Sequence, residues 1–157
     1  MNIPLGNDKF ATVDEIDLLP ALLVGTWYLH KGGYVRRGFR KHGKQCTEHL
    51  HHFITKRMNL ICTEFEEIDH ENGDKTDCRR TNLRKATKNE NRANRKTQSN
   101  NKIGYKGVRK DRNKFVAQCS RKYLGYFDTP EEAARAYDRE AEIQFGNFAK
   151  LNFPDEV

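Results

Sequence analysis

The amino-acid sequence predicts an α+β protein built from consecutive blocks. Residues 1–55 mix short alternating runs with turn signals, which indicates a β-rich region of strands and hairpins. Residues 60–96 follow the order strand, loop, strand and helix, and residues 104–157 predict a small three-stranded antiparallel sheet packed on one helix. The polar segment 97–103 lacks apolar periodicity and is interpreted as a linker. We therefore expect two domains, residues 1–96 and residues 104–157.

Composition limits the classes of protein that the chain can belong to. Only 36% of its 157 residues are hydrophobic, 32% are charged, and the formal net charge is +7. A basic excess of this size favours an acidic partner such as nucleic acid, although a solvated basic surface is the simpler interpretation. No apolar run approaches the roughly 18 residues that a membrane span needs, and "MNIPLGNDKF" lacks the pattern of a signal peptide. We expect a soluble, intracellular protein with no membrane partner.

The cysteines carry no recognisable metal or disulfide pattern. They stand far apart without a C-x-x-C pair, at Cys46, Cys62, Cys78 and Cys119. Neither a zinc ribbon nor a disulfide framework is indicated, so we interpret them as reduced, incidental thiols.

The histidines in "EHLHHFIT" allow more than one interpretation. On a strand, His49 and His51 would share one face while His52 would point the other way. Surface or core histidines are the commoner case, and a zinc pair is the alternative. A structural zinc protein would use His49 and His51 together with Cys62 and Cys78.

The middle block contains the candidate chemistry. "FEEIDH" predicts a strand, "ENGDKTDCRRT" a loop and "NLRKA" a return strand. Thr87 and Glu90 have the spacing of a capping box, which predicts a helix that begins near Lys88 and runs through "NENRANRK". The block therefore predicts a strand, loop, strand and helix unit that needs support from the N-terminal region.

The side chains of this unit suit the hydrolysis of a phosphodiester. That reaction needs a base that activates water and a cation near the phosphoryl oxygens. His70 is the candidate base because an imidazole titrates near neutral pH. Asp69 and Asn91 offer hard oxygen ligands, which favours Mg²⁺ or Mn²⁺ over zinc, and Asn82 could hold the loop and orient His70. Each residue also has an ordinary interpretation, as a turn, a cap or a strand end.

The C-terminal block predicts a sheet and a helix from two independent patterns. In "NKFVAQCSR" the residues alternate, so that Phe115, Ala117 and Cys119 share one face of a strand. "TPEE" at residues 129–132 predicts a helix start, with Thr as the cap and Pro at the first helical position. Small and aromatic residues then recur every fourth position, at Ala133, Tyr137, Ala141 and Phe145.

Two resemblances add to these patterns. "LHHFI" followed by "EIDHENGDKTDCRRTNLRKATKNENRANR" resembles the HNH endonuclease family, in its homing-type subgroup. The resemblance implies a ββα-metal unit in which His70 activates water, Asp69 and Asn91 hold one divalent ion, Mg or Mn, and Asn82 stabilises the loop. Asn91 stands where the last His of the family name is found, as is usual in this subgroup.

The C-terminal block, from "GYKGVR" through "YLGYFDTPEEAARAYD" to "LNFP", closely resembles the ethylene-response-factor (Apetala) type of DNA-binding domain. In that family the sheet enters the major groove of DNA. Lys106 replaces the Arg that precedes "GVR", Tyr123 replaces a Trp, and Gln118 falls where Glu is frequent.

Together these patterns predict a metal-dependent, site-selective endonuclease that acts on double-stranded DNA. A non-catalytic DNA-binding regulator on the same scaffold is the alternative, and loss of Asp69, His70 or Asn91 would be its mark. One metal centre would cut one strand, so double-strand cleavage would imply a homodimer or a second binding event. A phage or bacterial host cell is the expected setting. The expected DNA contacts are Arg79, Arg80, Arg84, Lys88, Arg92, Arg95, Lys106, Arg109, Lys114, Gln118, Arg121 and Tyr123.

Overall fold

The α+β class predicted from the sequence is confirmed by a computed structural model that describes residues 1–98 and 100–156. The chain divides into two compact units, Met1–Lys88 and Asn89–Val157. Ser99, in the predicted linker, and Val157, at the end of the second predicted domain, lie outside the described residues. The domain boundaries at 96 and 104 remain a prediction.

The first unit is built from short antiparallel sheets and two helices. Its strands are β1 (Asn2–Gly6), β2 (Lys9–Thr12), β3 (Tyr28–Leu29), β4 (Val35–Lys41), β5 (Lys44–His49), β6 (Glu66–His70) and β7 (Leu83–Thr87). Its helices are α1 (Glu15–Leu23) and α2 (Leu50–Arg57). Strand β1 pairs with β2, β4 lies between β3 and β5, and β6 pairs with β7. The strands predicted around the loop of the middle block are therefore confirmed as β6 and β7.

The two helices of the N-terminal region correct the expectation of strands alone. In "EHLHHFIT" the alternation of polar and apolar residues around Leu50 favours a strand. The structure ends β5 at His49 and continues as α2, in which Leu50 and Ile54 are both fully buried. Residues four apart lie on one face of a helix, so the burial follows the helical period and not the strand period.

The core of the first unit surrounds the single tryptophan of the chain. Trp27 is almost completely buried, and its indole Nε1 donates a hydrogen bond of 2.8 Å to the carbonyl oxygen of Ala21 in α1. Its ring packs at 5.7 Å from the ring of Phe53 in α2. The same core includes Ile3, Val13, Val35, Leu50, Ile54, Ile68 and Leu83. Burial of these side chains supplies the main driving force for folding of this unit.

A buried carboxylate joins α1 to the loop before β7. Asp17 has no solvent exposure, and it accepts hydrogen bonds from Arg57 Nε at 2.7 Å and from Arg80 Nε and Nη2 at 2.6 and 2.9 Å. The backbone N–H of Arg80 also donates to Asp14 Oδ2 at 2.7 Å. A buried charge requires such partners, so Arg80 is part of the scaffold of this unit.

The second unit contains the predicted sheet and helix. Its elements are α3 (Lys88–Asn94), which begins at the last residue of the first unit, β8 (Val108–Asp111), β9 (Lys114–Cys119), β10 (Lys122–Phe127) and α4 (Pro130–Phe145). Strand β9 lies between β10 and β8, and all pairs are antiparallel. Helix α4 begins with the predicted capping box of Thr129 and Glu132, and buries Ala133, Tyr137 and Ala141.

A polar network fastens the C-terminal segment to this helix. The carboxylate of Asp138, only 2% exposed, accepts hydrogen bonds from the backbone N–H groups of Asn152 and Phe153 and from the Asn152 side chain. The Asn152 amide oxygen in turn accepts a hydrogen bond from the backbone N–H of Lys106 at 2.7 Å. The motif "LNFP" therefore has a structural role, because Asn152 ties the start of the sheet to α4.

Helix α3 is anchored at its C-terminal end by the same unit. The backbone N–H of Lys150 donates to the carbonyl oxygen of Ala93 at 3.2 Å. The ammonium of Lys106 donates to the carbonyl oxygens of Ala93 and of Arg95, the latter at 2.8 Å. The last carbonyls of a helix lack partners within the helix, so these contacts satisfy them. No helix in the described part of the chain is long and apolar enough to cross a membrane.

Candidate active site and nucleic-acid interface

Asp69 and His70 end strand β6. In the antiparallel register, Asp69 lies opposite Arg84 and His70 lies opposite Leu83, both in β7. Both side chains are buried, with 5% exposure for Asp69 and 4% for His70. A strand directs successive side chains to opposite faces, so the burial of both shows that each face of β6 is covered at this end.

The imidazole of His70 lies among polarisable and aromatic groups. Its ring centroid is 5.1 Å from that of His51, edge to face, and 6.2 Å from that of Tyr34. The Sγ of Cys78 lies 3.9 Å from His70 Nε2. Burial lowers the pKa of His70, and the nearby carboxylates of Asp69, Asp74 and Asp77 oppose this shift without cancelling it. His70 is therefore neutral near pH 7, which is the form that accepts a proton.

Asn82 holds the loop between β6 and β7. Its Nδ2 donates to the carbonyl oxygen of Asp77 at 2.7 Å, and its Oδ1 accepts a hydrogen bond from the backbone N–H of Asn72 at 3.0 Å. Its own carbonyl oxygen accepts from the backbone N–H of Glu71 at 2.9 Å. Asn82 thus closes both ends of the loop that follows His70, and its role in orienting the imidazole stays a prediction.

Arg84 contacts the candidate metal ligand. Its Nε donates to Asp69 Oδ2 at 3.1 Å, and its Nη1 lies 3.5 Å from Glu71 Oε1. The contact is a charge-assisted hydrogen bond, and it ties the carboxylate at the end of β6 to the neighbouring strand β7.

The basic residues of the first unit differ in their surroundings. Arg79 is exposed and pairs with Asp77, with Nη2 at 2.6 Å from Oδ2. Arg80 is held by Asp17, as described above, and Lys88 is exposed at the start of α3. The predicted DNA contacts Arg79, Arg80 and Arg84 are thus engaged by carboxylates of the protein in this structure.

Three further predicted residues lie on or just after α3. Asn91 is partly buried on the helix, whereas Arg92 and Arg95 are exposed. Lys106 directs its ammonium to the carbonyls at the end of this helix, and burial lowers its pKa to about 8. A lysine used in this way contacts backbone, which is a different role from the DNA contact predicted for it.

The outer face of the C-terminal sheet brings four predicted DNA contacts together. In the register, Arg109 lies opposite Val116 and Gln118 opposite Tyr123, while Lys114 shares the face of Val116 two residues away. All four polar or aromatic side chains are exposed, at Arg109, Lys114, Gln118 and Tyr123. We call them, with Tyr126, the outer sheet face. Arg121 is exposed in the turn between β9 and β10.

Val116 differs from the expectation for its position on this face. Its alternation with Lys114 and Gln118 predicts that it meets solvent or DNA, but it has no exposure. It lies on the central strand, and its cross-strand neighbours are the larger residues Arg109 of β8 and Tyr126 of β10. The phenol of Tyr126 also donates to Asp111 Oδ2 at 2.9 Å.

Sequence patterns do not reveal the neighbours of His70. The local sequence favours an incidental thiol for Cys78 and a strand position for His51, and nothing in it singles out Tyr34. Their contacts with His70 come from segments that are distant in sequence, so local patterns could not reveal them. The one available signal was the pair of histidines after Leu50, close to the start of the resemblance to the HNH family.

The zinc interpretation is also changed by the structure. Among the described residues, the cluster that could hold a metal consists of His49, His51 and His52, and neither Cys62 nor Cys78 belongs to it. The cluster in the structure therefore differs from the combination of two histidines with two cysteines, because α2 places His52 beside His51.

Comparison with known proteins gives two kinds of match. A family model described as HNH endonuclease matches residues 49–93. An HNH endonuclease of Acanthamoeba polyphaga mimivirus is 33% identical over 154 residues, which cover 94% of this chain and 76% of the viral protein. No solved structure matches the chain.

The C-terminal region is similar to plant regulators. An ethylene-responsive transcription factor of Arabidopsis thaliana is 48% identical over 58 residues, or 32% of this chain and 31% of the plant protein. A dehydration-responsive element-binding protein of the same plant is 42% identical over 62 residues, or 35% of this chain and 18% of that protein. The chain thus spans about a third or less of these plant relatives. The viral match extends over nearly the whole chain and agrees with the family model, and it shows that this chain belongs to the HNH endonuclease family.

Proposed function

We propose that the chain is a metal-dependent, site-selective DNA endonuclease of the homing type, which hydrolyses phosphodiester bonds. The observation that carries the proposal is the buried imidazole of His70 next to Asp69, at the start of a loop closed by Asn82. The C-terminal sheet would select or grip the target.

His70 acts as the general base in this proposal. A neutral imidazole takes a proton from the attacking water, and a positioned base of this kind contributes a factor of about 10² to 10⁴ to the rate. The ring contacts with His51 and Tyr34 restrict its orientation, which favours a reactive geometry. Asn82 acts as a positioning residue, because its hydrogen bonds hold the loop that follows the imidazole.

Asp69 and Asn91 are the proposed ligands of a single Mg²⁺ or Mn²⁺ ion. A carboxylate and an amide oxygen are hard donors, and such donors suit these ions better than zinc. Arg84 would share the Asp69 carboxylate with the ion, since its Nε already donates to Oδ2. When bound, the ion supplies positive charge to the phosphoryl and leaving oxygens.

The outer sheet face is the proposed surface for double-stranded DNA. Arg109 and Lys114 would contact phosphates or bases, and Gln118 and Tyr123 would add base contacts beside them. Arg92, Arg95 and Arg121 are exposed and would add phosphate contacts. A cutting unit joined to a gripping unit binds more strongly than either alone, because the second contact becomes intramolecular.

The test is cleavage of supercoiled plasmid and phage DNA at low salt with Mg²⁺ or Mn²⁺. We expect nicking or linearisation that EDTA abolishes and that His70→Ala reduces at least 100-fold. His42→Ala is the matched control, because His42 is an exposed histidine in the turn between β4 and β5.

The same assay separates the nuclease from a non-catalytic DNA-binding regulator. Salt-dependent DNA binding without cleavage, in both the parent chain and His70→Ala, would support the regulator and contradict the nuclease. If both strands are cut, gel filtration with and without DNA tests whether a homodimer forms.

A further inference from the structure

Three histidines meet where strand β5 becomes helix α2, and we call them the histidine cluster (His49, His51 and His52). His49 is the last residue of β5 and the N-cap of α2, while His51 and His52 lie in the first helical turn. Each offers one ring nitrogen, and these three nitrogens all lie within 4.8 Å of one another. The change from strand to helix brings together side chains that a continuous strand would separate.

The rings are already packed against one another. His49 and His51 are stacked, with centroids 5.2 Å apart and planes inclined by 18°. His52 is nearly perpendicular to both, with its centroid 4.4 Å from that of His51 and 5.7 Å from that of His49. Imidazole rings that converge from the end of a strand and the start of a helix can coordinate a metal ion such as Zn²⁺.

The second observation is an unsatisfied atom. His51 is only 6% exposed, and its Nδ1 is buried without a hydrogen-bond partner among the described residues. A buried polar atom without a partner costs about 1 to 3 kcal/mol, so it calls for an explanation in a native structure. A bound cation would supply the missing partner.

The surroundings of the histidine cluster favour uncharged rings. Burial lowers the pKa of all three, and for His51 to about 2, with repulsion from the neighbouring histidines as a further cause. A lowered pKa favours the uncharged imidazole, which is the form with a free lone pair.

We propose that the histidine cluster is a second metal site, which binds a zinc-class ion (Zn²⁺, Ni²⁺ or Cu²⁺) through three imidazole nitrogens. Imidazole suits these ions, whereas Mg²⁺ and Mn²⁺ prefer oxygen ligands. The site is thus distinct in chemistry from the one proposed at Asp69. His52 is exposed, which leaves an entry path for the ion from solvent.

The fit requires a small adjustment of the side chains. Three nitrogens arranged tetrahedrally at about 2.1 Å from zinc lie roughly 3.4 Å apart, so nitrogens that are now up to 4.8 Å apart must approach one another by up to about 1.4 Å. Rotation about the χ angles of the exposed His52 and the half-buried His49 can provide this movement.

Neighbouring charges limit the affinity. Arg36 lies across the sheet from His49, and Lys56 is near His52, so both repel a cation. Glu48 is the nearby acidic group, but its carboxylate is engaged by Arg37 and Lys56. The site therefore depends on the strong preference of these ions for imidazole and not on net negative charge.

The experiment measures binding of Zn²⁺ by calorimetry, and of Co²⁺ by visible absorption, to the full chain in saturating Mg²⁺. We expect one Zn²⁺ per chain and an intense cobalt spectrum of the tetrahedral type. His49→Ala and His52→Ala should each weaken binding at least tenfold, and the double variant should abolish it. His42→Ala and Asp69→Asn should bind as the parent does, and far-UV circular dichroism checks that every variant is folded.

Two results would overturn the site. The first is undiminished Zn²⁺ binding by the folded double variant, and the second is loss of binding in Asp69→Asn. Because binding and not cleavage is measured, the answer is independent of whether the chain is an active nuclease.

Discussion

Arg80→Ala tests whether Arg80 supports the fold or contacts DNA. The sequence predicts a phosphate contact, whereas the structure directs two guanidinium nitrogens to the buried carboxylate of Asp17. Removing one partner of a buried ion pair costs about 3 to 5 kcal/mol when the remaining charge is left alone. Asp17 keeps Arg57, and the side chain of Arg80 is 30% exposed, so we expect a smaller loss of about 2 kcal/mol in the free energy of unfolding.

The assay is urea denaturation followed by the fluorescence of Trp27. This residue is the single tryptophan of the chain, and it is buried in the first unit beside α1, so its emission reports on the region that Asp17 holds. With a slope of roughly 1 to 2 kcal/mol per molar urea, the midpoint should fall by about 1 to 2 M. Arg40→Ala, an exposed arginine on β4, is the control and should change stability by about 0.5 kcal/mol or less.

The opposite result would refute this reasoning. Suppose that Arg80→Ala keeps the parent urea midpoint but binds DNA more weakly and with a smaller salt dependence. Arg80 would then contact a DNA phosphate, and its ion pair with Asp17 would contribute nothing to stability.

Acid pH, a glycine substitution and thiol labelling probe other parts of the molecule. Hydrogen bonds from Arg80 hold the pKa of Asp17 below its usual value near 3.8. The stability that this ion pair contributes is therefore complete above pH 3.8 and is lost as the pH falls through the lower pKa of the folded state. The difference between the urea midpoints of the parent and Arg80→Ala should narrow only below about pH 4. Gly107→Ala should destabilise the second unit by about 2 to 5 kcal/mol, because Gly107 has φ +75° and a Cβ there would overlap the ring of Tyr137. Hydrogen exchange of peptides from that unit measures the loss of stability, and unchanged protection would contradict the prediction. Burial raises the pKa of Cys78 to about 12, so its thiol should resist Ellman's reagent in the native protein at pH 8 and should react in urea. Fast labelling of Cys78 in the native protein would contradict this, and it would show that the region around His70 opens to solvent.

Local patterns are sufficient where a strong periodicity or a cap decides the structure. The capping box at Thr129 and the strands around the loop after His70 are visible in the sequence, because each depends on residues a few positions apart. Helix α2 is not predicted, because its eight residues are too few to separate a helical period from the alternation of a strand.

The environment of the candidate base could not be read in the same way. The contacts of His70 with Tyr34, His51 and Cys78 depend on how distant segments fold together, and no spacing in the sequence encodes them. The same holds for Arg80, whose partner Asp17 lies 63 positions earlier in the chain. From the sequence alone, a basic residue in a DNA-binding protein is expected to contact phosphate. Only the structure shows whether a carboxylate of the protein is its partner instead.

The anchoring of helix α3 affects how shortened versions of this protein should be designed. A chain that stops at the predicted domain boundary, residue 96, would keep the whole sequence of α3 but lose Lys106 and Lys150, which satisfy its terminal carbonyls. A helix of seven residues is too short to persist without such support. Inactivity of that fragment would therefore reflect an unfolded helix and not the loss of target recognition. For the same reason, a chimaera that receives its C-terminal domain from a relative should retain a lysine at both positions.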